Sequence, residues 1–273
     1  MAGAGRKWLV GCGVGCAVVS LLAILGTVGG GILLTRPFVR AVDSQTELTA
    51  AYGEREDFVP PPDAFDTGRV MAFAMVRRDL LPFCAKVQEL SARFRAVEDL
   101  DRDGGDVSAG EAMRTVLPVM GAALGMAGNI GRHVEARNRA LLAREMGLGE
   151  YVWHYVLIYN SWLGYPANQE FDDTEGGGSY DRDDRRVISA LLAGHADGLR
   201  RAGAAAEADL WQAEAAAVLE SETGVPFGPG GLPERYARLL APARGKLEAG
   251  YCAATSSFEL GAIRKKGLSF HTD

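Results

Sequence analysis

Residues 151–165, Tyr151-Val-Trp-His-Tyr-Val-Leu-Ile-Tyr-Asn-Ser-Trp-Leu-Gly-Tyr165, decide how the rest of the chain is read. They hold six aromatic rings in a chain with only 4 Trp, 8 Tyr and 10 Phe, and only His154, Asn160, Ser161 and Gly164 interrupt the apolar run. A helix that is apolar on every side must be covered on every side. The stretch is therefore the expected core, and its flanks are the expected cover.

With 3.6 residues per helical turn, Glu150, His154 and Ser161 fall within about 40° of one another, a polar stripe on an apolar cylinder. A Glu, His and Ser together invite a hydrolase reading, but the spacing rejects its simplest form. His154 and Ser161 are about 10.5 Å apart along the axis, whereas a nucleophile and its base need about 2.6–3.2 Å. Only Glu150 and His154 can touch directly. The stripe reads first as the wet seam of a core helix, and second as a polar site completed from another helix. Tyr151, Trp153, Tyr155, Tyr159 and Trp162 likewise read as core or as the wall of a pocket for a lipid or other apolar ligand.

Upstream, Val70, Phe73, Val76, Leu80, Phe83, Val87, Leu90 and Phe94 recur at three- or four-residue steps, which predicts a long amphipathic helix. Asp66 or Thr67 can cap it, and Pro82 is expected to bend it. A second helical pattern runs from Ser108 to about Met146, with Gly121, Gly125 and Gly128 thinning its middle for close contact. The charged run Arg132–Arg144 reads as its solvated face, with His133 exposed, and Gly147 suits its C-terminal cap. Between the two helices, Asp99, Asp101, Asp103 and Gly104 open like a calcium loop, but Gly110 stands where the closing glutamate belongs. Ser108-Ala-Gly-Glu111 is a capping box for the next helix, so an ordinary acidic turn with no metal is expected.

Downstream, Pro166–Ser179 is acidic and Gly-rich and reads as an exposed loop. Asp181–Asp184 place acids where a helix dipole favours them, and one helix is expected from there to about residue 222. His195 lies in line with Ile188 and Leu192 and reads as a core histidine. Pro233 and Pro242 open short helices, and Arg264-Lys-Lys266 begins a basic tail. No strand-like alternation or internal repeat is visible.

The first forty residues carry the other decisive signal. Trp8–Thr35 has no charged residue, and about 20 apolar residues span a bilayer core. The run is too long for the ~7–15-residue core of a cleaved signal peptide. Leu9-Val10-Gly11-Cys12 imitates a lipoprotein cleavage box, yet the apolar run continues past it. An uncleaved anchor in the plasma (inner) membrane is expected. Its short N-terminus, with Arg6 and Lys7, is expected to stay cytoplasmic and the rest of the chain to lie outside, although Arg36 and Arg40 nearly balance the count. Gly11 and Gly15, then Gly26 and Gly30, have the small-xxx-small spacing through which two such helices can pair. Of the 4 cysteines, Cys12 and Cys16 lie in this run. Cys84 and Cys252 are free to form one disulfide outside the cytoplasm or to serve as small buried hydrophobes inside it.

Composition narrows the function classes. Hydrophobic content of 48% and charged content of 23% fit a folded chain. With 29 basic against 35 acidic residues and only 4 histidines, nucleic-acid binding is not expected. No zinc helix, phosphate loop, dinucleotide glycines or nucleophile elbow is present, and no cofactor is implied. The expected organisation is all-α: a short basic N-terminus (1–7), a transmembrane helix (8–35), a juxtamembrane helix and Pro-rich linker (36–65), a helical-bundle domain (66–262) and a basic tail (263–273). The preferred function is a non-enzymatic interaction or scaffolding module of the cell envelope. The alternatives are a tethered apolar-ligand binder and an enzyme using Glu150 and His154.

Overall fold

The computed structural model describes residues 31–63, 65–102, 109–167 and 178–261. Their regular structure is all helical, with no strand among the described residues. Helix α1 is Gly31–Tyr52, α2 Thr67–Arg102, α3 Ala109–Leu142, α4 Leu148–Tyr155, α5 Arg182–Arg201, α6 Ala205–Glu220, α7 Glu234–Leu240 and α8 Arg244–Ala249. The expected membrane span and its glycine pairs lie outside the described residues except for 31–35. No described helix is long and apolar enough to cross a membrane.

Asp66 starts α2, its carboxylate accepting from the Gly68 and Arg69 amides. Pro82 lies inside that helix, which runs on to Arg102. Residues 103–108, the centre of the acidic turn considered for calcium, are outside the described set, as are the side chains of Asp99 and Asp101. Helices α2 and α3 form an antiparallel pair: Leu90 lies against Gly125, Phe83 meets His133 and Asp79 pairs with Arg144. Helix α1 runs parallel to α3, because Pro37 faces Gly131 and seven residues on Asn138 donates to Ser44 and Gln45.

The core continues past the boundary expected at residue 66. Leu48 of α1 is 1% exposed, and Phe58 packs against the main cluster. A short 3-10 turn, Arg55–Asp57, lies so close to α4 that a Cβ on Gly149 would stand 2.3 Å from the Arg55 carbonyl. Only glycine fits there, so the presumed linker is built into the domain.

Two helix ends differ from expectation. Helix α3 ends in a Schellman arrangement, with Met146 N bonding Leu141 O and Glu145 N bonding Leu142 O. The left-handed residue is Glu145 (φ 52), while Gly147 is the extended N-cap of α4. The single helix expected from Asp181 to residue 222 is a hairpin of α5 and α6. Ala204 N bonds Leu199 O and Gly203 N bonds Arg200 O, and Gly203 takes φ +84, so the backbone reverses there. Asp181 caps α5 through the Asp184 amide.

The aromatic stretch is the centre of the molecule. Every residue from Tyr151 to Ser161 is buried. Helix α4 widens at Val156 into a π-helix that runs to Trp162, a rare form that recurs at functional positions. Its Asn160 donates to the Tyr165 and Pro166 carbonyls and accepts from Tyr180. One buried amide thus joins the two sides of the acidic 166–179 segment, of which residues 168–177 are not described.

Candidate functional site

The Glu150 carboxylate receives a two-pronged grip from Arg69, Nε to Oε1 at 2.6 Å and Nη2 to Oε2 at 2.5 Å. The same guanidinium donates to the Glu145 carbonyl at the end of α3. His154 Nδ1 lies 2.9 Å from the Glu150 carbonyl, and its ring stacks on Phe73 at 5.7 Å. The Ser161 hydroxyl turns to the Val156 carbonyl of its own helix at 3.4 Å. A π-turn has more residues per turn than an α-turn, so the alignment of Ser161 with the other two in an unbroken α-helix does not carry over.

Trp153 lies 5.4 Å from Trp211 and 5.0 Å from His195. It borders a void of about 10 Å³ shared with α5, room for about one water. Trp162 is half-buried, with the Arg244 guanidinium 5.5 Å over its ring. His195 is wholly buried. Burial pulls its pKa down, partly offset by the Pro60 and Pro61 carbonyls. Beside it, Trp211 Nε1 donates to Tyr236 at 3.2 Å, and Tyr236 donates to Glu207, which also pairs with Arg235.

The buried charges among the described residues gather elsewhere, under a C-terminal strap, residues 250–261. Glu259 is 0% exposed, Arg77 and His133 1%, and Arg137 0%. Arg77 reaches Glu259 Oε1 at 2.5 Å, the Tyr151 hydroxyl at 2.7 Å and the Gly250 carbonyl at 3.1 Å. It also lies over the rings of Tyr155 and Tyr159, at 5.2 and 5.5 Å. Tyr151 donates to Glu259 Oε2 at 2.6 Å, Thr255 to Oε1 at 2.7 Å, and His133 Nε2 stands 3.4 Å from Oε1. Arg137 donates to the Phe258, Glu259 and Gly261 carbonyls, and Arg55 to the Leu260 carbonyl.

Burial alone raises a carboxyl pKa, but Arg77, with His133 and the Tyr151 hydroxyl, holds Glu259 well below the usual range. Burial pushes the Tyr151 phenol well up, so it stays protonated as the donor. Arg137 has carbonyls as its close partners, and burial lowers its pKa. A carboxylate held this firmly ionised is a poor proton acceptor. The arrangement is suited to gripping the strap, whose own 3-10 bonds from the Thr255 and Glu259 amides are long, at 3.4 Å.

Periodicity misplaced or missed these groups. The run Arg132–Arg144 is two-faced rather than solvated: Arg132 and Arg139 are exposed, while His133, Arg137 and Asn138 are buried. The available signal was spacing, since 133, 134, 137, 138 and 141 form one helix face. Arg77 stands directly after Val76 in the apolar pattern of α2, and Glu259 lies in a segment without periodicity. The strap is joined to α2 by a Cys84–Cys252 disulfide. No cluster with metal-ligand composition occurs among the described residues. No family model, curated protein or solved structure matches the chain.

Proposed function

We propose that this chain is a single-pass, membrane-anchored helical module of the cell envelope, with its domain outside the cytoplasm and a scaffolding or interaction role rather than a catalytic one. The observation that carries the reading is the Cys84–Cys252 disulfide, a crosslink at home in oxidising compartments. The second support is the uncharged run Trp8–Thr35, which in sequence leads into α1. The non-catalytic part is supported by what engages the polar groups: Glu150 is gripped by Arg69, and Glu259 by Arg77, Tyr151 and Thr255. Partner contact has candidate ground in the exposed Leu210 and Leu219 of α6 and Leu239 of α7.

Topology tests the reading directly. The full chain should stay in the membrane pellet after alkaline carbonate extraction. Protease added outside intact cells should digest the domain, and Cys84 and Cys252 should resist alkylation until reduced. Release of the full chain by carbonate, or free thiols at both positions in freshly lysed cells, overturns the proposal.

A further inference from the structure

We propose that the Cys84–Cys252 disulfide is a redox latch: it keeps the strap, residues 250–261, on its charged seat, and its reduction releases the strap while the rest of the domain stays folded. The strap is attached largely through side chains of other elements. Its carbonyls at 250, 258, 259, 260 and 261 accept from Arg77, Arg137 and Arg55, side chains that belong to the bundle. Its one acid, Glu259, is buried against Arg77. Contacts of this kind are opposed by the hydration that each ion regains on opening, so a buried ion pair is a weak clamp by itself. The apolar grip is divided: Ala254 and Phe258 cover the satellite cluster of Val87, Leu90 and Met126, Leu260 alone of the far end reaches the main core, and Tyr251 stacks on Tyr165 at the near end. The covalent bond to α2 fixes the start of the strap beside its seat, so that less free chain separates Glu259 from its partners when these contacts break.

The bond is also open to attack. Cys252 is 3% exposed, whereas Cys84 is only part-buried, so the approach considered is from the side of Cys84. A dithiol reductant attacks Cys84 Sγ, the S–S bond breaks, and Cys252 leaves as a thiolate that takes a proton. The reductant's second thiol then displaces Cys84. The two electrons and two protons end on Cys84 and Cys252 as thiols, and the reductant becomes a cyclic disulfide. Opening uncovers Arg77, His133 and Arg137 beside Tyr151, Tyr155 and Tyr159, a basic and aromatic groove.

Hydrogen exchange on the full chain in detergent micelles tests this, with dithiothreitol as the reductant and mass-counted maleimide labelling to verify two free thiols. Residues 253–261 should exchange roughly tenfold faster or more after reduction, while α5 and α6 change less than about twofold. The Cys84→Ser/Cys252→Ser variant should reproduce the reduced pattern without reductant. Arg77→Met/Glu259→Gln, which removes both buried charges and strands neither, should leave the strap protected in the oxidised chain and speed its exchange further in the reduced one. Unchanged strap protection after verified reduction overturns the latch, as does equal loss of protection across the domain. Loss of strap protection in oxidised Arg77→Met/Glu259→Gln also overturns it, since the ion cluster and not the disulfide would then be the hold.

Discussion

The aromatic cluster around Trp153 of α4 and the strap seat are both buried, yet they hold the chain by different physics. Around Trp153 the neighbours are Phe65, His195 and Trp211, and stability comes from apolar surface removed from water. Around Glu259 the neighbours are Arg77, His133, Tyr151 and Thr255, and stability depends on each charge keeping its partner. Aromatic packing degrades gradually with lost volume. An ionic seat fails when one member goes, because the remaining charge is stranded in a dry place.

The largest effect should come from the aromatic side. Trp153→Ala removes a ring that is 2% exposed, and such truncations cost about 3–5 kcal/mol through lost burial and the cavity left behind. Urea unfolding should show a midpoint far below wild type, or no folded protein at all. A near-normal midpoint would mean that the region around Trp153 is not the structural centre.

The ionic side should give a comparable single-variant loss but a different pair behaviour. Arg77→Met strands Glu259, which costs about 3–5 kcal/mol for a broken buried pair. Arg77→Met with Glu259→Gln removes both charges and leaves Tyr151 and Thr255 to satisfy the amide, so most of the stability should return. A double variant as unstable as the single would show that Arg77 matters through packing on Tyr155 and Tyr159 instead. No such rescue is expected for Trp153→Ala combined with Trp211→Ala, where losses accumulate.

Acid should separate the two regions in sequence. Burial lowers the His195 pKa from 6.5 in the folded chain, so its contribution is present above about 6.5 and lost as pH falls through the window toward that depressed value. Glu259 is held well below 4.5, so its contribution is present above about 4.5 and lost as pH falls from there toward its folded value. Above about pH 4.5 the wild type and the Arg77→Met/Glu259→Gln variant should lose stability in parallel, and below it the wild type should lose more. Equal slopes below that point would remove Glu259 from the ionised role assigned to it.

The contrast also explains what the sequence could disclose. The aromatic stretch was legible because burial on all sides leaves a one-dimensional trace: fifteen positions with hardly a polar side chain. The pattern of α2 and α3 was legible for a related reason, since burial of one helix face leaves apolar residues at three- and four-residue steps. Arg77 and Glu259 left no such trace, since a buried charge looks like an exposed one until its partner, far along the chain, is known. Glu150 showed the reverse problem, its stripe pointing to His154 while the partner that grips it is Arg69 in another helix. The π-helix was hidden because no residue type demands it.

The smallest prediction concerns the other feature that periodicity misread, the break between α5 and α6. Leu199 and Leu210 lie in step, as though one helix continued, and only Gly203 argues against it. In one continuous helix, Gly203→Ala should stabilise the chain by about 1 kcal/mol, the ordinary propensity difference. In the hairpin, Gly203 sits at φ +84 with nothing within 4 Å of the place a Cβ would take. Packing is then irrelevant, and the whole cost is the left-handed backbone, about 1–2 kcal/mol for a residue with a side chain. The two geometries therefore predict opposite signs for the same one-carbon change. Chemical denaturation of Gly203→Ala beside wild type reads the sign directly. A lower midpoint with an unchanged slope supports the reversal at Gly203, and a higher midpoint restores the single helix.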